Sequence, residues 1–228
     1  TYVQNDYWFE ANFSLPDLAI GNANDFPIAQ NIREILLEAD KLKPGFLNSE
    51  YLLEARSNID FDINWGFGSS SSLIANIAAW AGIDPFDLHF RISKGSGYDI
   101  AAAISDMPVL YELKNKQPHF EKVYFYPEFH QRIYFGYLGK KRSSAEAVNQ
   151  FIDSEADYSD EISEISSISR RLIKTTDVID FTSLLQKHDK IISSILKIKS
   201  VADKRFPDFN GYVKPLGAWG GDLALFVT

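Results

Sequence analysis

The sequence predicts an α+β fold, and three observations predict it. Short stretches rich in aromatic and β-branched residues open the chain, recur in its middle and close it. Longer runs with apolar residues at helical spacing lie among them. The two kinds of segment are mixed rather than repeated as units, and there is no internal repeat and no low-complexity linker.

The elements follow in order. Tyr2–Val3 and Trp8–Leu15 read as strands, with Gln4-Asn5-Asp6 as a hairpin turn between them. Asp25 is placed to cap a helix that has Pro27 in its first turn. Ile28, Ile32, Ile35, Leu36, Ala39 and Leu42 repeat at helical spacing until Pro44-Gly45 stops it. From Asn58 to Ile63 the pattern switches to alternation: Ile59, Phe61 and Ile63 share one face, Asp60 and Asp62 the other, as in a half-exposed strand. A Gly/Ser loop follows, then a helix with Leu73, Ile74, Ile77 and Trp80 as its buried stripe and Gly82 as its stop. Asp84 caps the next helix and Pro85 begins it. Gly95-Ser96-Gly97 turns into an Ala-rich helix around Asp99 to Ile104. Val109–Leu113 and Phe120–Phe125, split by Lys114–Pro118, read as paired strands, and Arg132–Leu138 as a third. Ser143-Ser144-Ala145-Glu146 is a capping box for a helix through Phe151. Helical patterns then cover Ser159–Ile173 and Phe181–Ile198, the second with Leu184, Leu185, His188, Ile191, Ile192, Ile195 and Leu196 on one side. A closing hairpin joins Gly211–Leu216 to Leu223–Val227.

Composition narrows the function. Apolar residues make up 45 % of 228, enough to bury a sizeable core. The formal charge of −8 is spread along the chain without a basic stripe, which argues against a nucleic-acid partner. With no cysteine there is no disulfide framework and no thiolate metal site, which fits a reducing compartment; the expected location is the cytoplasm. No apolar run approaches the ~20 residues that span a bilayer, so no membrane segment is expected. The chain begins without Met in a strand-like stretch and stops at Thr228 directly after an apolar run, so a fragment is expected.

The strongest local signal is Trp65-Gly66-Phe67-Gly68-Ser69-Ser70-Ser71-Ser72, between an alternating segment and an apolar helix. Phosphate needs backbone N–H groups at close range. Glycines allow that approach, the free N–H groups and dipole of the next helix favour negative charge, and serine hydroxyls can add donors or bind the magnesium of a nucleotide. A flexible turn that merely caps a helix has the same composition, and the loop alone leaves both readings open. Four histidines, at 89, 119, 130 and 188, show no metal-ligand spacing; His188, on an apolar helix face, reads as a satisfied core histidine.

Three ordered motifs make the resemblance specific. Gly66-Phe67-Gly68-Ser69-Ser70 resembles the centre of the phosphate-binding motif Pro-x-x-x-Gly-Leu-Gly-Ser-Ser-Ala of the GHMP kinases, with Asn64 and Trp65 replacing the usual Pro-Gly-like approach. Gly95-Ser96-Gly97-Tyr98-Asp99 resembles the Ser-Gly-x-Asp segment of mevalonate-type members. Lys214-Pro215-Leu216-Gly217-Ala218-Trp219-Gly220-Gly221 resembles the C-terminal Lys-x-x-Gly-Ala-Gly-Gly-Gly loop, with Trp219 in place of a glycine. Gly97 to Ala101 is also similar to a bacterial subfamily known by the string Gly-Tyr-Asp-Ile-Ala, and Gly139–Ser144 to the turn that borders the substrate pocket of mevalonate and phosphomevalonate kinases. Taken alone, that last turn is equally a solvated basic turn before a capping box.

The resemblance implies a two-lobed GHMP kinase fold, with a ribosomal-protein-S5-like lobe over residues 1–106, a ferredoxin-like lobe over 107–228, and first and last strands outside the sequence. It implies ATP and magnesium as cofactors and a small acidic metabolite, mevalonate-like, as the phosphoryl acceptor. Asp99 is then the catalytic residue, although its position equally suits a cap aspartate. Gly66, Phe67, Gly68, Ser69, Ser70 and Ser71 hold the nucleotide phosphates, and Ser70 is the magnesium ligand. Arg142, Ser143, Ser144, Gly217, Ala218, Gly220 and Gly221 face the substrate. The family's glutamate magnesium ligand has no match; Asp87 can substitute or can simply favour its helix N-terminus. The family's N-terminal lysine strand has no match either. Alternatives within the same fold are an enzyme like mevalonate diphosphate decarboxylase and a nucleotide-binding relative without turnover. The partners are small molecules, with the chain a monomer or homodimer.

Overall fold

The computed structural model describes residues 7–48, 52–139, 157–197, 201–217 and 223–228. The chain divides into two compact units: residues 1–58 with 70–104, and 59–69 with 105–228. Helices mix with small antiparallel sheets in both.

In the first unit, β1 (Ala11–Ser14) and β2 (Ala19–Ala23) form a hairpin. The expected hairpin at Gln4-Asn5-Asp6 lies outside the described residues; the one observed turns later, over 15–18, and its second strand is poor in β-formers. Arg33 holds that turn to the next helix, donating from Nε to the Leu18 carbonyl at 2.8 Å and from Nη2 to that of Asp17 at 3.2 Å. The helix is α1 (Phe26–Leu42), and the Asp25 side chain accepts the Ile28 N–H at 3.0 Å, a cap of about 1 kcal/mol.

α2 (Ser69–Ala81) buries Ser71, Ile74, Ile77, Ala78 and Ala81. Trp80, expected in the stripe, is 47 % exposed and lies edge-on to Phe46 instead; the small Ala78 and Ala81 take the buried side, where an indole is too large. Gly82, at φ +66, ends the helix, with the Ile83 N–H reaching back to the Ala78 carbonyl at 3.0 Å. Asp84 caps α3 (Pro85–Ile92), accepting from the N–H groups of Phe86 at 2.7 Å and Asp87 at 3.2 Å. α4 (Tyr98–Ala103) follows, with Ile100 and Ala101 fully buried.

The second unit begins with 59–69. Ile59, Phe61 and Ile63 are half-buried and Asp60 and Asp62 exposed, so the alternation is real. The segment is nevertheless not a strand: it belongs to none of the described sheets, and it tightens into a 3-10 turn at Ile63–Trp65. β3 (Val109–Lys114) and β4 (Gln117–Lys122) make a hairpin tighter than expected, because Asn115 and Lys116 both adopt positive φ and close it with two residues. β5 (Ile133–Tyr137) does not join them. It pairs with β7 (Leu223–Val227), which also pairs with β6 (Tyr212–Pro215), giving the order β5-β7-β6.

Helices cover this sheet: α5 (Ser159–Leu172), α6 (Val178–Leu196) and α7 (Val201–Arg205), the last not expected from the sequence. Tyr212 and Val227 pack with Phe129, Phe181 and Leu185. Val213 and Ala224, one residue out of phase, pack with Leu138, Phe206, Phe209 and Phe226. Period-two alternation thus serves two cores, and each buried Val, Leu or Phe contributes ~1.5–3 kcal/mol. The capping-box helix from Ser143 lies outside the described residues.

Candidate functional site

The Gly/Ser loop enters α2 through two glycines in the left-handed region, Gly66 at φ +74 and Gly68 at φ +83. A side chain at either position would be strained. The helix starts at Ser69, directly after these two glycines. Ser70 is exposed in that first turn, whereas Ser71 is buried, at 4 % exposure, on the inner face. Phe67 packs edge-on against Phe61 at 5.4 Å and Trp65 at 5.6 Å, and Trp65 and Phe67 remain 42 % and 49 % exposed. Two left-handed glycines leading into a helix N-terminus suit a nucleotide phosphate. Among the described residues no three His, Asp or Glu side chains are grouped to hold a metal.

Asp99 stands in the first turn of α4, half-buried. Gly97, at φ +84, is the N-cap of α4 and has no side chain to cap with, so the helix start is set by the turn before it. Both polar groups of the Gly95 peptide are held by side chains: Ser93 Oγ accepts its N–H at 3.0 Å, and His89 Nε2 lies 3.3 Å from its carbonyl. His89 is 3 % exposed and its Nδ1 has no hydrogen-bond partner among the described residues. Desolvation first, and the Asp99 charge second, push the Tyr98 phenol above its ordinary value, although the residue is 55 % exposed.

A third group lies where β6 runs toward Gly217. Lys214 Nζ donates to Asp189 Oδ1 at 3.1 Å and to the Pro215 carbonyl at 3.4 Å, with the two charged side chains only 12 % and 7 % exposed. His188, beside Asp189 on α6, is pushed down to about 4 by burial and then by the Lys214 charge, against the raising effect of Asp189. Its Nδ1 is buried with no hydrogen-bond partner among the described residues. Sequence reasoning missed Asp189, His89 and the pairing of Lys214. A signal was present for one: Phe181, Leu185 and Asp189 share a helix face at i, i+4 and i+8, which puts a carboxylate in an apolar stripe.

Arg142, Ser143 and Ser144, and Ala218, Gly220 and Gly221, lie outside the described residues; Gly217 adopts φ +72. An open apolar groove of about 360 Å³ lined by Met107, Pro108 and Val123 to Tyr126 contains none of the expected site residues. No helix among the described residues is long and apolar enough to cross a membrane.

No protein-family model and no curated protein matches the chain. Among solved structures it is similar to L. major mevalonate kinase in complex with R-mevalonate, at 16 % identity and a TM-score of 0.53, over 89 % of this chain and 70 % of that one. At that identity the likeness is one of architecture, and the chain is similar in fold to a GHMP kinase.

Proposed function

We propose that the chain is an ATP-dependent small-molecule kinase of the GHMP kind, acting on a small acidic alcohol or phosphate ester for which mevalonate is the best analogy. The observation that carries this reading is the turn at Gly66 and Gly68, two left-handed glycines delivering the chain into the N-terminus of a 13-residue helix with Ser70 exposed. Such a turn suits phosphate, and it occurs in a chain similar in fold to a mevalonate kinase.

Bound ATP supplies the phosphoryl group. Backbone N–H groups from Gly66 to Ser71 hold its phosphates, and the Ser70 hydroxyl contributes to magnesium. Asp99 accepts or orients the proton of the attacking hydroxyl, a role contributing typically ~10²–10⁴-fold. Arg142, Ser143 and Ser144, with Gly217, Ala218, Gly220 and Gly221, hold the acidic substrate. In phosphoryl transfer most of the acceleration comes from position and charge, so rigid backbone donors matter more than reactive side chains.

The test is phosphoryl transfer from labelled ATP to R-mevalonate and to its phosphate ester, using the full-length protein. Asp99→Asn is expected to lower kcat by about 10²-fold or more and to leave the ATP KM within a few fold. ATP binding with no transfer to any alcohol or phosphate ester would refute the kinase reading in favour of a nucleotide-binding protein.

A further inference from the structure

We propose that His89 is a positioning residue for Asp99, holding through the Gly95 carbonyl the turn from which that aspartate is presented; the inference rests on the kinase reading above. His89 occupies the last turn of α3 at 3 % exposure, next to the fully buried Leu88. An imidazole there forgoes hydration, and its orphan Nδ1 recovers none of the loss. A leucine would fill the same region with no unpaired polar atom. What the imidazole adds is Nε2–H: a carbonyl only accepts, so the 3.3 Å contact with Gly95 O fixes the hydrogen on Nε2.

Two observations tie this contact to Asp99. First, the turn is closely packed at Gly95: a Cβ there would crowd Ser93 Oγ at 3.2 Å and touch His89 Nε2 at 3.4 Å, while Ser93 Oγ already accepts the Gly95 N–H. Second, α4 has no capping side chain of its own. Its first bonds run from the Ile100 and Ala101 N–H groups to the Gly97 carbonyl, both at 3.1 Å, so the place where the helix begins follows the turn. Asp99 is the second residue of that helix. A shift of the Gly95 peptide is therefore carried into the carboxylate, and a displacement near 1 Å at a reacting group costs about 10²-fold in rate.

The experiment compares wild type, His89→Leu, His89→Gln and Gly95→Ala in the full-length protein, with R-mevalonate as the probe and long-range proton–nitrogen NMR as a second readout. His89→Leu lowers kcat about 10–100-fold with the ATP KM changed by less than about two-fold, and His89→Gln, whose amide can donate in place of Nε2–H, recovers to within about five-fold of wild type. Gly95→Ala, whose methyl crowds Ser93 Oγ and so shifts the Gly95 peptide against His89, lowers kcat without removing either group and serves if His89→Leu does not fold. In NMR the wild-type imidazole carries its hydrogen on Nε2, and the Tyr98 and Asp99 amide signals move in His89→Leu and return in His89→Gln. A folded His89→Leu with wild-type kcat, loss of stability alone, or a hydrogen on Nδ1 would overturn the proposal. If wild type transfers no phosphoryl group, the kinase reading fails, while the tautomer and the amide signals still decide whether His89 sets the position of Asp99.

Discussion

Replacing Asp189 by alanine leaves the Lys214 ammonium almost enclosed, with the Pro215 carbonyl at 3.4 Å as its one remaining hydrogen-bond partner among the described residues. In the native chain this ammonium is 3.1 Å from Asp189 Oδ1, with 12 % and 7 % of the two side chains exposed, so neither charge can recover much hydration by moving. Breaking one side of such a pair costs about 3–5 kcal/mol, because an uncompensated charge is left buried. Removing both charges is a different perturbation. Lys214→Met keeps the length of the stem without the ammonium, and in Asp189→Ala/Lys214→Met no charge remains to be desolvated; exchanges of this kind are often neutral or stabilising. The double variant is therefore expected within about 1–2 kcal/mol of wild type, giving a coupling energy of about 3 kcal/mol or more between the sites.

The assay is denaturant unfolding of the four proteins of the cycle, with hydrogen exchange of the β6 and β7 amides as a local readout, because two compact units can unfold in separate transitions. Lys122 and Asp106 supply the contrast: their charges are 2.6 Å apart but 50 % and 78 % exposed, and breaking that pair should change little. An Asp189→Ala cost below about 1 kcal/mol, or a double variant as damaged as the sum of the singles, would refute the reasoning.

Two further outcomes follow from the same sheet. His188 titrates near 6.5 when unfolded and is held at about 4 in the fold, so between those values the unfolded chain binds more protons; its contribution to stability is complete above pH 6.5 and is lost as pH falls toward 4. Stability measured across pH 4–7 should flatten in His188→Leu, and an NMR titration placing His188 near 6.5 in the folded protein would disprove the assignment. Gly136→Ala should cost about 1–3 kcal/mol in thermal or chemical unfolding, since its Cβ would meet the Phe226 ring at 2.6 Å and that ring is packed edge-on to Phe206 and Phe209; an unchanged unfolding midpoint would show that the ring can yield.

What was legible in the sequence was local. Asp25 and Asp84 cap helices because a carboxylate one residue before a helix reaches the free N–H groups whatever else the chain does. The closing hairpin and the turns at Gly82 and Gly97 are of the same kind. Pairing between distant strands was not legible: Ile133 lies opposite Val227, and nothing in the composition of β5 says that it joins β7 rather than the neighbouring β4. Asn58–Ile63 shows the limit from the other side. Its alternation of burial is real, but a strand also needs a place in a sheet, and the segment belongs to none of the described sheets.

The candidate site divides along the same line. Gly66 and Gly68 could be picked out because left-handed backbone favours glycine, whereas Asp99 enters the candidate site only through the motif it belongs to. His89 and Asp189 could not be, since each sits in an otherwise apolar helix face and reads as part of a core. Burying an imidazole or a carboxylate is costly, and a hydrophobic residue would satisfy the packing. Each polar group reaches a segment whose path matters to the proposed chemistry, His89 the Gly95 peptide before Asp99 and Asp189 the Lys214 strand before Gly217. Phosphoryl transfer depends on fixed donors more than on reactive groups, and under the proposed function these two contacts would supply fixity to segments rich in glycine.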